Sequence, residues 1–284
     1  MWQGTANVHV SLVWAGHAGE QEKAVLNDDP VRAITPSLEP ASRVEEQRKK
    51  QGKRWQPWRL VANEDQAFQG AIVLGEGFIL EPEEAEALIE QNPRNRDVLF
   101  PYLIGKDLNT RPDCSPSRWV INFGTMTEDE AREYPEPFAI VERDVRPMRE
   151  ENNRKVYRDL WWQYAEKRPA MQEAIAGLDR VLVIARVSRT GIPVFIQPNV
   201  VMSEQVVVVS NRELSALSCL SSAQNYAWTV AQSSSMKGDL RYTPSDCFET
   251  FPQPTHTPRM TETGELLVSF RRPLMLSRQL GLTK

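Results

Sequence analysis

The sequence predicts an α+β domain in which helices pack on a mixed, largely antiparallel sheet. Three observations carry this. Residues 181–187, 192–196 and 205–210 are short runs dense in β-branched side chains, the composition of strands. The first two are separated by Ser188, Arg189, Thr190 and Gly191, a polar connection containing glycine that reads as a hairpin turn. Around them, segments such as residues 81–91 repeat apolar positions three and four apart, the helical period.

In chain order, residues 1–38 open with Trp2, Gly4, Ala6, Val8 and Val10, then Leu12, Val13 and Trp14, an alternation that suits a half-buried strand. Residues 39–66 turn to Arg, Lys, Gln and Glu, with Trp55 and Trp58 behind the charged run, and read as linker or exposed helix. The main unit starts near Ala67. Residues 68–74 read as a strand, Gly75 to Phe78 as a turn, and residues 81–91 as an acidic helix bracketed by Pro82 and Pro93, with Ala85, Leu88 and Ile89 facing inward. Residues 98–103 are apolar but interrupted by Pro101, which predicts an edge strand or an extended loop. Residues 118–123 form a clearer strand, and Thr127, followed by Glu128, Asp129 and Glu130, caps a helix.

A helical hairpin is expected next, with Leu160, Trp161, Trp162 and Tyr164 on its first arm. Its second arm starts at Pro169, where the missing N–H costs nothing, and carries Met171, Ile175 and Leu178. After the three strand runs come a small-residue helix over 214–230 and an aromatic segment with Tyr242, Phe248 and Phe251 that packs down. A basic tail follows with Arg271, Arg272, Leu274, Met275 and Leu280. The expected organisation is therefore 1–38, a charged linker 39–66, a main domain 67–255 and a helical tail 256–284.

A chain of 284 residues holds one or two domains. Its net charge of −4 excludes a protein that coats nucleic acid through bulk positive charge. Between Glu142 and Arg189, however, eleven cations face eight acids, a local excess compatible with a patch or a solvated surface. Cys114, Cys219 and Cys247 make neither a disulfide framework nor a metal pair, and no run of about 18 apolar residues occurs, so a cytoplasmic, membrane-free setting is expected. His9, His17 and His256 are too scattered for a metal site. Gly75-Glu-Gly-Phe78 imitates a turn for S-adenosylmethionine, and Asn92-Pro-Arg-Asn95 imitates an amine-methylating loop. The second lacks its further proline and its aromatic, and both read as ordinary turns. No catalytic centre is visible.

The hairpin tip and flanks carry Arg186, Ser188, Arg189, Gln197 and Asn199, whose donors and acceptors match base edges and phosphates. Hairpin turns are also polar because they face water, and residue types alone leave both readings open.

A succession of motifs resolves the choice: Phe68-Gln-Gly70, Gly75-Glu-Gly-Phe78, Asn92-Pro93, Pro101-Tyr-Leu-Ile-Gly105-Lys-Asp-Leu-Asn109, Arg118-Trp-Val-Ile-Asn-Phe123, Val145-Arg-Pro147, Trp161-Trp-Gln-Tyr164 and Phe248-Glu-Thr-Phe-Pro252. In this order they resemble the C-terminal target-recognition region of the MmeI-like (type IIL) restriction-modification and adenine-specific DNA methyltransferase proteins. Trp2-Gln-Gly-Thr-Ala-Asn-Val8 resembles the end of their methyltransferase domain.

The resemblance implies a module that binds double-stranded DNA sequence-specifically and positions it for a methyltransferase domain or subunit that flips an adenine and methylates N6. Base readout falls to Arg186, Ser188, Arg189, Gln197 and Asn199. Phosphate anchoring falls to Arg143, Arg146, Arg149, Arg154 and Lys155, while Trp161, Trp162 and Tyr164 build core behind the reader. S-adenosylmethionine belongs to the parent enzyme, and this chain is expected to hold neither cofactor nor metal. Because the cofactor and catalytic motifs and any nuclease domain are not in the sequence, the chain is expected to be a fragment, a split subunit or an isolated recognition protein. Two rival readings stand beside it: a cryptic methyltransferase binding cofactor at Gly75 to Phe78, and an interaction subunit of a phage-defence complex docking through Trp55 to Trp58.

Overall fold

The computed structural model describes residues 24–26, 29–31, 57–236 and 239–283. The strand expected over Trp2 to Trp14, the charged run over 43–54 and Trp55 lie outside them. The chain divides into two units, residues 1–58 and 59–284. In the first, β1 (Ala24–Leu26) and β2 (Asp29–Val31) pair as an antiparallel hairpin.

The second unit begins with β3 (Ala67–Gln69), β4 (Ile79–Leu80), α1 (Pro82–Gln91), β5 (Leu99–Leu103), α2 (Gly105–Thr110) and β6 (Arg118–Ile121). Short helices follow: α3 (Glu128–Arg132), α4 (Pro135–Asp144), α5 (Arg146–Glu150), α6 (Lys155–Asp159) and α7 (Pro169–Ile175). Then come β7 (Val181–Ala185), β8 (Val187–Ser188), β9 (Val194–Ile196), β10 (Val201–Met202), β11 (Val206–Val209), α8 (Leu214–Leu220) and α9 (Ala223–Gln232). The chain closes with β12 (Ser234–Met236), β13 (Asp239–Arg241) and α10 (Pro258–Arg278).

Three sheets organise the described residues of this unit, in the orders β10-β5-β6-β4, β3-β11-β7-β9 and β12-β13-β8. Their pairings are antiparallel except for β10 with β5, so the α+β expectation holds. β7 and β11 are buried along their whole length, as continuous β-branched runs should be when both faces of a sheet are covered. α1 starts at Pro82 and stops before Pro93 with Ala85 fully buried. α3 starts from Thr127, whose hydroxyl accepts from the Glu130 N–H while the Glu130 carboxylate accepts from Thr127. Gly70 admits no side chain, because a Cβ there would lie 2.2 Å from the Ser203 carbonyl oxygen where the two sheets meet.

Three expectations change. β5 is internal, lying between β10 and β6, although Pro101 marked it as an edge. Val98 accepts from the Asn122 N–H, which sets the phase of the β5–β6 ladder so that Pro101 turns its nitrogen away from β6. On that side β10 begins only opposite Tyr102, so the missing donor interrupts no ladder. The Trp161 to Tyr164 stretch is irregular chain between α6 and α7, because its polar groups are claimed elsewhere. Trp162 Nε1 and Gln163 Nε2 donate to the Met126 carbonyl at 2.9 and 2.7 Å, and the Tyr164 hydroxyl donates to Ile121 at 2.8 Å. These aromatics are buried against Phe78 and Phe138. The helix expected over 214–230 is two helices, with Ser222 capping α9 through a bond from the Asn225 N–H.

Segments at both ends are tied into this unit. The Asn63 side chain donates to the carbonyls of Phe248 and Phe251 at 3.0 and 2.8 Å. α10 lies close against α8, with a Cβ at Gly264 falling 2.2 Å from the Leu214 oxygen, and its Leu267, Val268 and Met275 pack on the core.

Arg149, expected on the surface as a phosphate anchor, is 0% exposed. Its guanidinium donates to the carbonyls of Leu74, Val73 and Gln163 at 2.9, 2.9 and 3.1 Å, which corrects that expectation. No acid pairs with it among the described residues. Burial pushes its pKa below the ordinary arginine value. Arg149→Met should destabilise the chain by about 3 kcal/mol or more, because three buried carbonyls lose their donor at roughly 1–3 kcal/mol each. Chemical denaturation checks this, and an unchanged midpoint would refute it.

Candidate nucleic-acid interface

β7 and β9 form the expected hairpin, with Val181 opposite Ile196 and Val183 opposite Val194. Beyond Ala185 the chain leaves this sheet. β8 pairs instead with β13, Val187 opposite Arg241 and Ser188 opposite Leu240. Arg186 is the crossing residue, its N–H bonded to Gln205 and its carbonyl to the Tyr242 N–H, both at 2.8 Å. Its position is thus fixed by two different sheets.

Three arginines converge here from separate parts of the sequence. The Arg186 guanidinium reaches the Glu204 carbonyl at 3.5 Å. Its pKa is lowered first by burial and then by the nearby cations Arg241 and Arg168, with the Glu204 carboxylate opposing. Arg168 stands in the left-handed region at φ 56°, immediately before α7, and donates to the Gly70 carbonyl at 3.3 Å. Neither Arg186 nor Arg241 has a carboxylate within ion-pair distance among the described residues. The tip residue Arg189 is exposed and stands 3.8 Å from Asp239, and both line a cavity of about 310 Å³ with Asn109, Ser188 and Thr283. Asn109 joins this head to α2 by donating to the Val187 carbonyl at 2.9 Å.

The five residues expected to read bases do not form one group. Arg186 and Arg189 lie at the tip end. Gln197 follows Ile196, which pairs with Val181 at the other end of β7, so about six strand steps, roughly 20 Å, separate it from Arg186. Gln197 and Asn199 are both exposed. Ser188 is buried, and its hydroxyl accepts from the N–H groups of Thr190 and Gly191 at 3.2 and 3.4 Å, so it shapes the turn.

The expected phosphate anchors are engaged by neighbours. Arg143 pairs with Asp144, Arg146 with Glu142 and Glu150, and Lys155 with Asp159, while Arg154 bonds the Tyr157 hydroxyl at 2.8 Å. Sequence reading missed Arg168, Arg241, Glu204 and Asp239. The signal for two of them was present: Met236-Lys-Gly-Asp239 has the composition of a two-residue hairpin loop, which would have put Arg241 on a strand.

The glycines of the Gly75 turn are required by packing. A Cβ at Gly75 would meet Val145 at 3.1 Å, and one at Gly77 would meet Asp144 at 2.4 Å, so the glycines admit the α4–α5 junction. Asn92 and Asn95 belong to a short turn in which the Asn95 side chain bonds the Leu88 carbonyl at 2.8 Å. No metal-binding group of acids, histidines and cysteines occurs among the described residues, and none of their helices is long and apolar enough to cross a membrane.

The fold and this cationic hairpin head define a target-recognition scaffold. A family model described as the MmeI target recognition domain matches residues 61–255, and the chain belongs to that family. It is also similar to a solved structure of the type IIL restriction-modification enzyme MmeI in complex with DNA, with a TM-score of 0.65 at 18% identity. That match covers 84% of this chain and 31% of the other, so the chain spans about a third of the enzyme's length and the likeness concerns fold. No curated protein matches the chain.

Because Arg168, Arg186 and Arg241 repel one another, Arg241→Gln should leave thermal stability unchanged or raise it by roughly 0.2–1 kcal/mol. A melting curve checks this, and a clear loss of stability would mean that Arg241 holds the fold together.

Proposed function

We propose that this chain is the sequence-specific double-stranded DNA recognition module of an S-adenosylmethionine-dependent N6-adenine DNA methyltransferase, in a cytoplasmic restriction-modification or phage-defence system. It holds a duplex so that a catalytic domain or subunit flips the target adenine. The observation that carries this reading is the convergence of Arg168, Arg186 and Arg241 at the base of a projecting hairpin. Three cations gathered against two acids, Glu166 at 3.9 Å from Arg168 and Glu204 near Arg186, keep the local potential positive, and an anionic ligand relieves their repulsion. Arginine also supplies the forked donor geometry that pairs with guanine edges and phosphates.

Base readout falls to Arg186, Arg189 and Arg241 at the head, with Asp239 offering an acceptor to a base amine. Gln197 and Asn199 stand too far from the head to read the same base step and would meet the duplex at a second place along the groove. Membership of the recognition-domain family supports the same reading.

The purified chain should enrich one short motif from a randomised duplex pool. Arg186→Ala or Arg189→Ala should weaken binding to that motif by about 1–3 kcal/mol and relax the preference at one position. Affinity and sequence preference unchanged in both variants would sink the assignment.

A further inference from the structure

The basic tail carries a charge pattern that the reading head does not use. From Leu266 to Lys284 the sequence has four cations and no acid, in a chain whose net charge is −4. Arg271, Arg272 and Arg278 form no ion pair or hydrogen bond with any described residue, in contrast to the acid-paired arginines of α4 and α5. Arg271 is half-buried. With Arg272 it walls a cavity of about 100 Å³ against Asp113, Cys114 and Phe195. Asp113 stands 3.7 Å from Arg111 and forms no ion pair with either tail arginine, so the partly desolvated guanidiniums outnumber the acid beside them and gain from a further anion.

The position of this segment indicates which anion. Past Arg278 the chain turns at Gln279, and Leu282 and Thr283 donate through their N–H groups to the carbonyls of Leu108 and Asn109, both at 3.3 Å. Asn109 in turn holds Val187 at the base of the hairpin. The end of α10 is therefore continuous with the reading head. Arg271 and Arg278, seven residues apart, share a helix face and are separated by roughly 10 Å along the axis. One DNA strand presents a phosphate about every 3.4 Å of its axis, so this span matches a few phosphate steps.

We propose that the C-terminal half of α10 is a phosphate track: Arg271, Arg272 and Arg278 hold the DNA backbone beside the hairpin and set the register in which the head meets the bases. This rests on the DNA-reading function proposed above. The contacts are with phosphates alone, so the track adds affinity without sequence preference.

The test uses the full chain and its R271Q/R272Q/R278Q variant, bound to a duplex carrying the enriched motif and to an unrelated duplex of equal length across a salt series. The slope of log K against log salt should become shallower by about 0.9 for each phosphate that is no longer neutralised, equally on both duplexes, with the enriched motif unchanged. The R271K/R272K/R278K variant should keep the wild-type slope, which separates charge from misfolding. If the wild type enriches a motif but the glutamine variant keeps its slope, the track is wrong and the head stands, leaving an acidic protein surface as the segment's occupant. If the wild type binds no duplex even at low salt, the DNA-reading function fails and the track with it.

Discussion

The position of the arginine head depends on one buried guanidinium. Arg149 lies inside the core around Phe78, Tyr102 and Trp162, and offsets its own desolvation by donating to three backbone carbonyls. Two belong to the segment that follows β3 and one to the stretch that follows the paired tryptophans. Having joined these segments, the chain continues the contact: Glu166 and Ile72 exchange N–H and carbonyl bonds at 3.1 and 3.0 Å, and Arg168 then reaches Gly70. The residue that brings a cation to the head is thus placed by a charge that never meets solvent. An apolar side chain could fill the same volume, but it could not bind three carbonyls whose strands run out at that point.

Much of the scaffold was legible because its signals are local. β-branched runs gave β7, β9 and β11, the prolines at 82 and 93 bracketed α1, and Thr127 with Glu130 made a reciprocal cap. The losses come where distant partners override local preference. Trp161, Trp162 and Tyr164 fit a helical face, yet the carbonyls of Met126 and Ile121, about 36 to 43 residues away, accept from Trp162 and Tyr164, and Glu166 just beyond is bonded through its backbone to Ile72. Pro101 looked like an edge because the rule concerns a missing donor. Only the staggered start of β10 shows that no donor is needed there.

Of the candidate site, the hairpin and its cationic tip were legible, and the partners of its arginines were not, for a related reason. A hairpin with a cationic tip was visible, but which arginines are free depends on the acids that tertiary structure brings near. Arg143 and Arg146 sit on helices with carboxylates one and four residues away, so their charge is neutralised locally. Arg241 is on a strand between Leu240 and Tyr242, where no acid comes within ion-pair distance among the described residues. A count of cations over a window cannot distinguish these cases.

This division of the arginines reconciles an acidic chain with the proposed anionic target. Between residues 128 and 159 helical acids such as Glu128, Glu142 and Asp159 pair with arginine and lysine, and the acids of α1 carry no ion pair, so these helices together present a neutral or negative surface, which lowers non-specific attraction to nucleic acid. Among the cations without an ion pair, Arg186 is held at a strand crossing whose backbone is fixed by Gln205 and Tyr242, and Arg278 at a helix end just before residues bonded to Leu108 and Asn109. A cation on a rigid mount loses little side-chain freedom on binding, so its attraction is available where geometry is correct and weak elsewhere. On the proposed DNA-reading function, specificity comes as much from the arginines that the fold has neutralised as from those it has left free.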